Sequence, residues 1–242
     1  MTTATPEAQT GWRWWIAWSL WVVVCFIGSA VIGAIGLSAL GALGLKFPVS
    51  TTLMLLGAST AIYLLMLALV LSIPYAKKMV SWVSLGFTRL LNWSDIGLAL
   101  AGYIVYFVAV LGVTFVITKL IPGFNASQSQ DLGFTTLYGA ERLLGFVVLV
   151  VVAPIVEETI FRGFLYGKLR ESRMPMWPAI LTVSVLFGLA HGQWNVGIGT
   201  FILSIVLCYL REATGSVWAG ILVHMINNAI AFTLLFVTQV PH

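Results

Sequence analysis

Charge is nearly missing from this chain. Asp, Glu, Lys and Arg together make up 8% of its 242 residues, against about 25% in an ordinary soluble domain. With 60% hydrophobic residues, that scarcity excludes a water-soluble globule. It points to an all-α, polytopic membrane helix bundle whose first partner is the lipid bilayer. Cysteine is scarce too: Cys25 and Cys208 each lie inside an apolar run, so they read as small core residues and not as a disulfide or a metal pair. Internal repeats, low-complexity tails and glycine-rich phosphate loops are all missing. The net charge of +4 does not argue for nucleic acid, because the basic residues sit in short loops where membrane topology accounts for them. The first apolar run is far longer than the ~7–15 residues of a signal-peptide core, so no cleavable signal is expected.

What is present is a series of long apolar runs. They predict seven spans, ending or running at about Leu43, Ser50–Ile73, Asp95–Thr118, Glu141–Tyr166, Trp177–His191, Gly197–Leu210 and Val217–Val237. Three spans fall in residues 1–140 and four in 141–238, within one membrane domain. The fifth and sixth are short for a ~20-residue crossing. Breaks are expected at Lys46-Phe47-Pro48, at Pro74, in the 119–140 loop with its Gln/Ser cluster, and at Arg211–Gly215. Ser94 is the expected N-cap of the third helix, and Val80–Leu91 suits a short interfacial helix. Trp12, Trp14, Trp15, Trp18 and Trp21 around Arg13 read as an interfacial anchor. Ala30, Ala34, Ser38 and Ala42 form a small-residue stripe suited to close helix packing.

Basic residues set the topology. With the 74–94 loop inside, Arg13, Lys77, Lys78, Arg89, Lys168, Arg170, Arg173 and Arg211 are cytoplasmic, and Lys46, Lys119 and Arg142 are outside. Eight against three obeys the positive-inside rule and predicts a cell-membrane protein with a cytoplasmic N-terminus.

The stretch Ala153-Pro154-Ile155-Val156-Glu157-Glu158-Thr159-Ile160-Phe161-Arg162 breaks the apolar pattern. Ionisable groups inside a membrane are costly, on the order of 3 kcal/mol each on insertion scales, and mark functional sites. Glu158 and Arg162 are four apart and can pair on one helix face. Glu157 points about 100° away and is left available. Pro154 removes a backbone donor and predicts a kink. A buried structural ion pair is the plainer reading, but such a pair needs one carboxylate and here there are two.

Histidine is rare as well. His242 ends the chain, His191 ends the fifth span, and His224 lies early in the seventh with Asn228 one turn on. Phe187 stands one turn before His191. Glu157 is thirteen residues from Arg170, His191 fourteen from Trp177, and His224 thirteen from Arg211. At 1.5 Å per residue, each lies roughly 20 Å deep. A carboxylate and two imidazoles from three helices can therefore meet. Glu157 would take a proton from water oriented by His191, and His224 with the Asn228 amide would donate to an oxyanion. Two histidines and Glu157 also make a reasonable zinc set, although the spacing does not require metal. Each histidine alone suits a helix-packing hydrogen bond equally well, and Asn228 alone suits interhelical glue.

The pattern Glu157-Glu158-x-x-x-Arg162, Phe187-x-x-x-His191, His224-x-x-x-Asn228 resembles the three motifs of the CAAX-processing and bacteriocin-processing (CPBP, or Abi) family of intramembrane proteases. The resemblance covers roughly residues 140–238 and includes motif order. It implies a membrane endopeptidase acting on a membrane-associated, in some members prenylated, peptide or protein. By that resemblance Glu157 and His191 activate water, Glu158 and Arg162 support them, and His224 and Asn228 bind the oxyanion. Family members are described both as metalloproteases and as metal-free glutamate enzymes; the metal-free route is the one favoured here. Two other classes compete. One is a non-enzymatic immunity or scaffold protein. The other is a proton-coupled transporter, which predicts inverted repeats that the sequence does not display.

Overall fold

Seven helices are expected, and a computed structural model gives their arrangement for residues 10–43, 50–125 and 136–238. The Lys46-Phe47-Pro48 break, the Gln/Ser cluster, His242 and most of the polar leader lie outside these residues. The elements are α1 (Trp12–Ala42), α2 (Thr51–Ala76), α3 (Trp93–Leu120), α4 (Ala140–Glu171), α5 (Met176–Leu189), α6 (Trp194–Thr214) and α7 (Trp218–Phe236). The described residues contain no strand. All but α5 are long and apolar enough to cross a membrane, and the chain is a multi-pass membrane protein. α5, with 14 residues, is about 21 Å long. α6 is longer than the expected sixth span because Arg211 and Glu212 continue the helix to a glycine stop, Gly215, at φ 65°.

Local chemistry sets the helix ends. α3 starts from a capping box at Asn92, not Ser94: the Asn92 side chain accepts from the Asp95 amide, and the Asp95 carboxylate accepts from the Asn92 amide. Asp95 at the third position makes that reciprocal pair possible, and Arg89 clamps its carboxylate at 2.5 and 2.8 Å. α2 is capped by Ser50, which also donates to Glu141 at the start of α4.

Val80–Leu91 is no helix. It is a turn-rich loop folded back on the bundle. Lys168 donates to Met79 O, Val217 N to Gly86 O, and the Trp218 indole to Arg89 O. Gly163 receives this loop, since a Cβ there would lie 2.7 Å from Leu85 O. Apolar Leu85 is buried and overrides any interfacial helix.

The tryptophans do more than anchor. Trp12 is exposed, but Trp18 is buried and packs edge-on against Phe164, while the Trp15 and Trp21 indoles donate to Ser172 O and Val70 O. The small-residue stripe is turned outward. Trp18, Val22, Cys25 and Ser29 form the buried face of α1.

α4 is the axis of the bundle. Around Pro154, α4 widens into π-helix over Val147–Val152 and again over Thr159–Tyr166. In the first stretch the Ala153 amide reaches back five residues to Val148 O. The next bond in that register would run from residue 154 to Leu149 O, and proline has no N–H to make it. π-turns of this kind often mark functional sites.

Candidate active site

Between the two π-helical stretches lies the short α-helical turn Ala153–Glu158. It presents Glu157 and Glu158 to different neighbours. Glu158 is fully buried, and its Oε1 accepts from Arg162 Nη1 at 2.7 Å, the expected pair one turn apart. The same oxygen accepts from His224 Nδ1 of α7 at 3.1 Å. A carboxylate can only accept, so Nδ1 of His224 carries the hydrogen. Gly220, one turn before His224, makes room for Glu158, because a Cβ there would lie 3.2 Å from Oε2.

Arg162 is fully buried. Its guanidinium lies 4.3 Å from the centre of the Phe187 ring, a cation–π contact. Cys208 of α6 adjoins it. Phe187 is the hub of the site: its ring also meets His191 at 5.0 Å, His224 at 5.7 Å and Phe161 at 5.0 Å between centroids. One aromatic ring thus links both histidines to the buried ion pair.

Glu157 stands apart from that pair, as its position on the helix predicts. Its side chain is 13% exposed, and Oε2 faces His224 Nε2 at 3.8 Å, too far for a hydrogen bond. Oε2 has no hydrogen-bond partner. Tyr63 of α2 faces the same carboxylate. Its signal in the sequence is a single hydroxyl in the otherwise apolar run 62–71.

His191 follows the end of α5. Its Nδ1 donates to Phe187 O at 2.8 Å, because a carbonyl can only accept. That bond fixes the neutral tautomer and leaves Nε2 as an acceptor. His191 is half-buried, so Nε2 can receive a water proton or a metal.

Asn228 answers the proline. Its Nδ2 donates to Leu149 O at 2.9 Å, the carbonyl that Pro154 leaves without a backbone partner. Its Oδ1 accepts from Asn227. One amide hydrogen of Asn228 remains for another acceptor. The side chain therefore ties α7 to the first π-helical stretch, beside any role toward substrate.

Arg211 does not mark the start of the helix that carries His224. Arg211 belongs to α6; α7 starts at Trp218, six residues before His224, or about 9 Å along the axis. His224 lies 3.1 Å from Glu158 and 3.8 Å from Glu157. Among the described residues no three His, Cys, Asp or Glu side chains are gathered so as to hold a metal ion. Glu157, His191 and His224, the zinc set read from the sequence, do not form a ready cage as they stand.

Comparison with known proteins agrees with the motifs. Residues 139–230 match the family described as "Type II CAAX prenyl endopeptidase Rce1-like". The chain is 30% identical over 165 residues to "Uncharacterized protein YyaK" of Bacillus subtilis (strain 168), covering 62% of this chain and 50% of that protein. It is 25% identical over 132 residues to "Putative membrane peptidase YdiL" of the same organism, covering 54% and 52%. It is 30% identical over 98 residues to "Uncharacterized 24.3 kDa protein" of Escherichia coli, covering 39% and 44%. The matches thus span about half the length of these curated relatives. No solved structure matches. All three motifs, from Glu157 to Asn228, lie inside the matched stretch, and the resemblance to the CAAX-processing intramembrane protease family holds over residues 139–230.

Proposed function

We propose that the chain is an intramembrane endopeptidase of the CAAX prenyl protease type, hydrolysing a peptide bond of a membrane-associated peptide or lipidated protein by glutamate-activated water. The observation that carries this reading is the division of labour between adjacent carboxylates. Glu158 is bound to both Arg162 and His224, while Glu157 Oε2 is without a partner beside His224 Nε2. A purely structural ion pair needs only the first of these.

In the proposed reaction, water sits between Glu157 and Nε2 of His191. Its oxygen adds to the scissile carbonyl carbon as Glu157 accepts a proton. The carbonyl oxygen becomes an oxyanion. His224 can donate to it from Nε2 when both ring nitrogens carry hydrogen, Nδ1–H being held by Glu158. That imidazolium together with Arg162 balances the two carboxylates, which matters where water is scarce. The remaining Asn228 N–H is the second donor. Glu157 then returns its proton to the leaving nitrogen, the C–N bond breaks, and a carboxylic acid and an amine are released. Zinc, if bound by Glu157, His191 and His224, would supply Lewis acidity; no step above depends on it.

The basic-residue bias supports a cell-membrane location with the N-terminus in the cytoplasm. The proposed catalytic unit is residues 141–238, with residues 1–140 contributing three further spans. Incubating the purified protein in detergent with a quenched fluorescent CAAX-type peptide and weighing the products tests the reading. A new carboxyl terminus, with the mass of one added water across the two fragments, is the expected result. A protein that never cleaves any such peptide, yet confers its phenotype after Glu157→Gln, is a scaffold or immunity factor instead.

A further inference from the structure

The proposed catalytic residues all lie in α4 to α7, within the matched stretch, and nothing there assigns a role to α1, α2 or α3. Yet α2 packs directly on the turn that carries Glu157 and on both π-helical stretches flanking it. Leu56, Met66 and Val70 form the buried face of α2. Tyr63 follows Leu56 by seven residues and precedes Met66 and Val70 by three and seven, so it shares that inward face. The ring packs against the core cluster that contains Val156, Ile160 and Phe161. Its hydroxyl faces the Glu157 carboxylate across the contact between α2 and α4. Glu157 Oε2 has no partner of its own.

We infer that Tyr63 is a positioning residue of this site: its hydroxyl donates a hydrogen bond to the Glu157 carboxylate and fixes that carboxylate for proton transfer. Tyr63 is half-buried; a hydroxyl in a membrane span is costly without an acceptor, and the carboxylate it faces can accept. A carboxylate held by one donor has fewer orientations to search than a free one, which favours a reactive geometry. The inference rests on the reading of Glu157 as the base. It also gives α2 a task beyond spanning the bilayer, and makes the site a joint product of both halves of the chain.

The test is Tyr63→Phe, which keeps the ring and removes the hydroxyl. Two readouts are taken on the whole chain. The first is the infrared carboxyl band of Glu157, identified as the band lost in Glu157→Gln. The second is kcat and KM on a peptide that the wild type cleaves. The expected result is a displaced Glu157 band, with kcat lowered about tenfold and KM within about twofold. An unmoved band overturns the hydrogen bond. A displaced band with unchanged kcat overturns the positioning role. Cleavage that survives Glu157→Gln defeats the reading of Glu157 as base and the positioning role with it. The infrared band, which needs no activity, still shows whether the contact exists.

Discussion

His224 Nδ1 lies 3.1 Å from Glu158 Oε1, on the oxygen that Arg162 already holds at 2.7 Å. One carboxylate oxygen therefore orients an imidazole from another helix and neutralises a fully buried guanidinium. The arrangement resembles the carboxylate–histidine pairs that set tautomer and ring direction in many sites. It also makes Glu158 the most consequential residue of the site for stability.

Replacing it should show this. Glu158→Gln leaves the Arg162 charge buried without its counter-ion, and removing one partner of a buried pair costs about 3–5 kcal/mol. The expected outcome is a large drop in the unfolding midpoint in detergent, together with loss of cleavage. The double variant Glu158→Gln/Arg162→Met should recover much of the midpoint but no activity. Equal midpoints for the single and double variants would contradict the ion-pair account.

Asn228 and Pro154 should be coupled. Asn228→Ala removes the donor to Leu149 O, at a cost of about 0.6–2 kcal/mol. Pro154→Ala restores a backbone N–H at the one place that can reach the same carbonyl in the π-helical register. A double-mutant cycle is expected to show Asn228→Ala hurting less in the Pro154→Ala background. Strict additivity would mean that the carbonyl is satisfied some other way.

The approach of α5 to α6 should control His191. A Cβ on Gly188 would lie 2.8 Å from Gly197 O, with Phe201 Cβ at 3.3 Å. Because the obstacle is backbone, Gly188→Ala must spread the two helices, at about 1–3 kcal/mol. It sits between Phe187 and the turn at His191, so a displacement of about 1 Å is expected to lower kcat by up to a hundredfold. Gly57→Ala is the control. Nothing lies within 4 Å of that position, and both stability and rate should stay near wild type. Similar rates for the two variants would separate α5 packing from the chemistry.

Much of this site was legible because helical spacing is local. The pairing of Glu158 with Arg162 and the divergence of Glu157 follow from one turn of helix, and Phe187 beside His191 likewise. What lay beyond the sequence depends on how helices rotate and slide against one another. The small-residue stripe on α1 satisfied a packing rule, yet bulkier Trp18 and Val22 on a neighbouring face won the interface. Pro154 announced a disruption, but the donor that serves the carbonyl it strands comes from α7, seventy-nine positions away. Arg211 looked like a membrane landmark and proved to be helical, paired with the carbonyl of Ser84. Tyr63 gave only a lone hydroxyl in an apolar run, and only the fold places Glu157 against it.

Whether Glu157 is the base is decided by cleavage of a quenched fluorescent CAAX-type peptide by matched detergent preparations of the wild type and Glu157→Gln, with metal content determined by mass spectrometry on the same samples. Glu157→Gln is expected to be as stable as the wild type, within about 1 kcal/mol, and to lose cleavage by at least about a thousandfold. One zinc per wild-type chain, lost in Glu157→Gln, would move Glu157, His191 and His224 into ligand roles. Cleavage that persists in Glu157→Gln would mean that Glu157 is not the base.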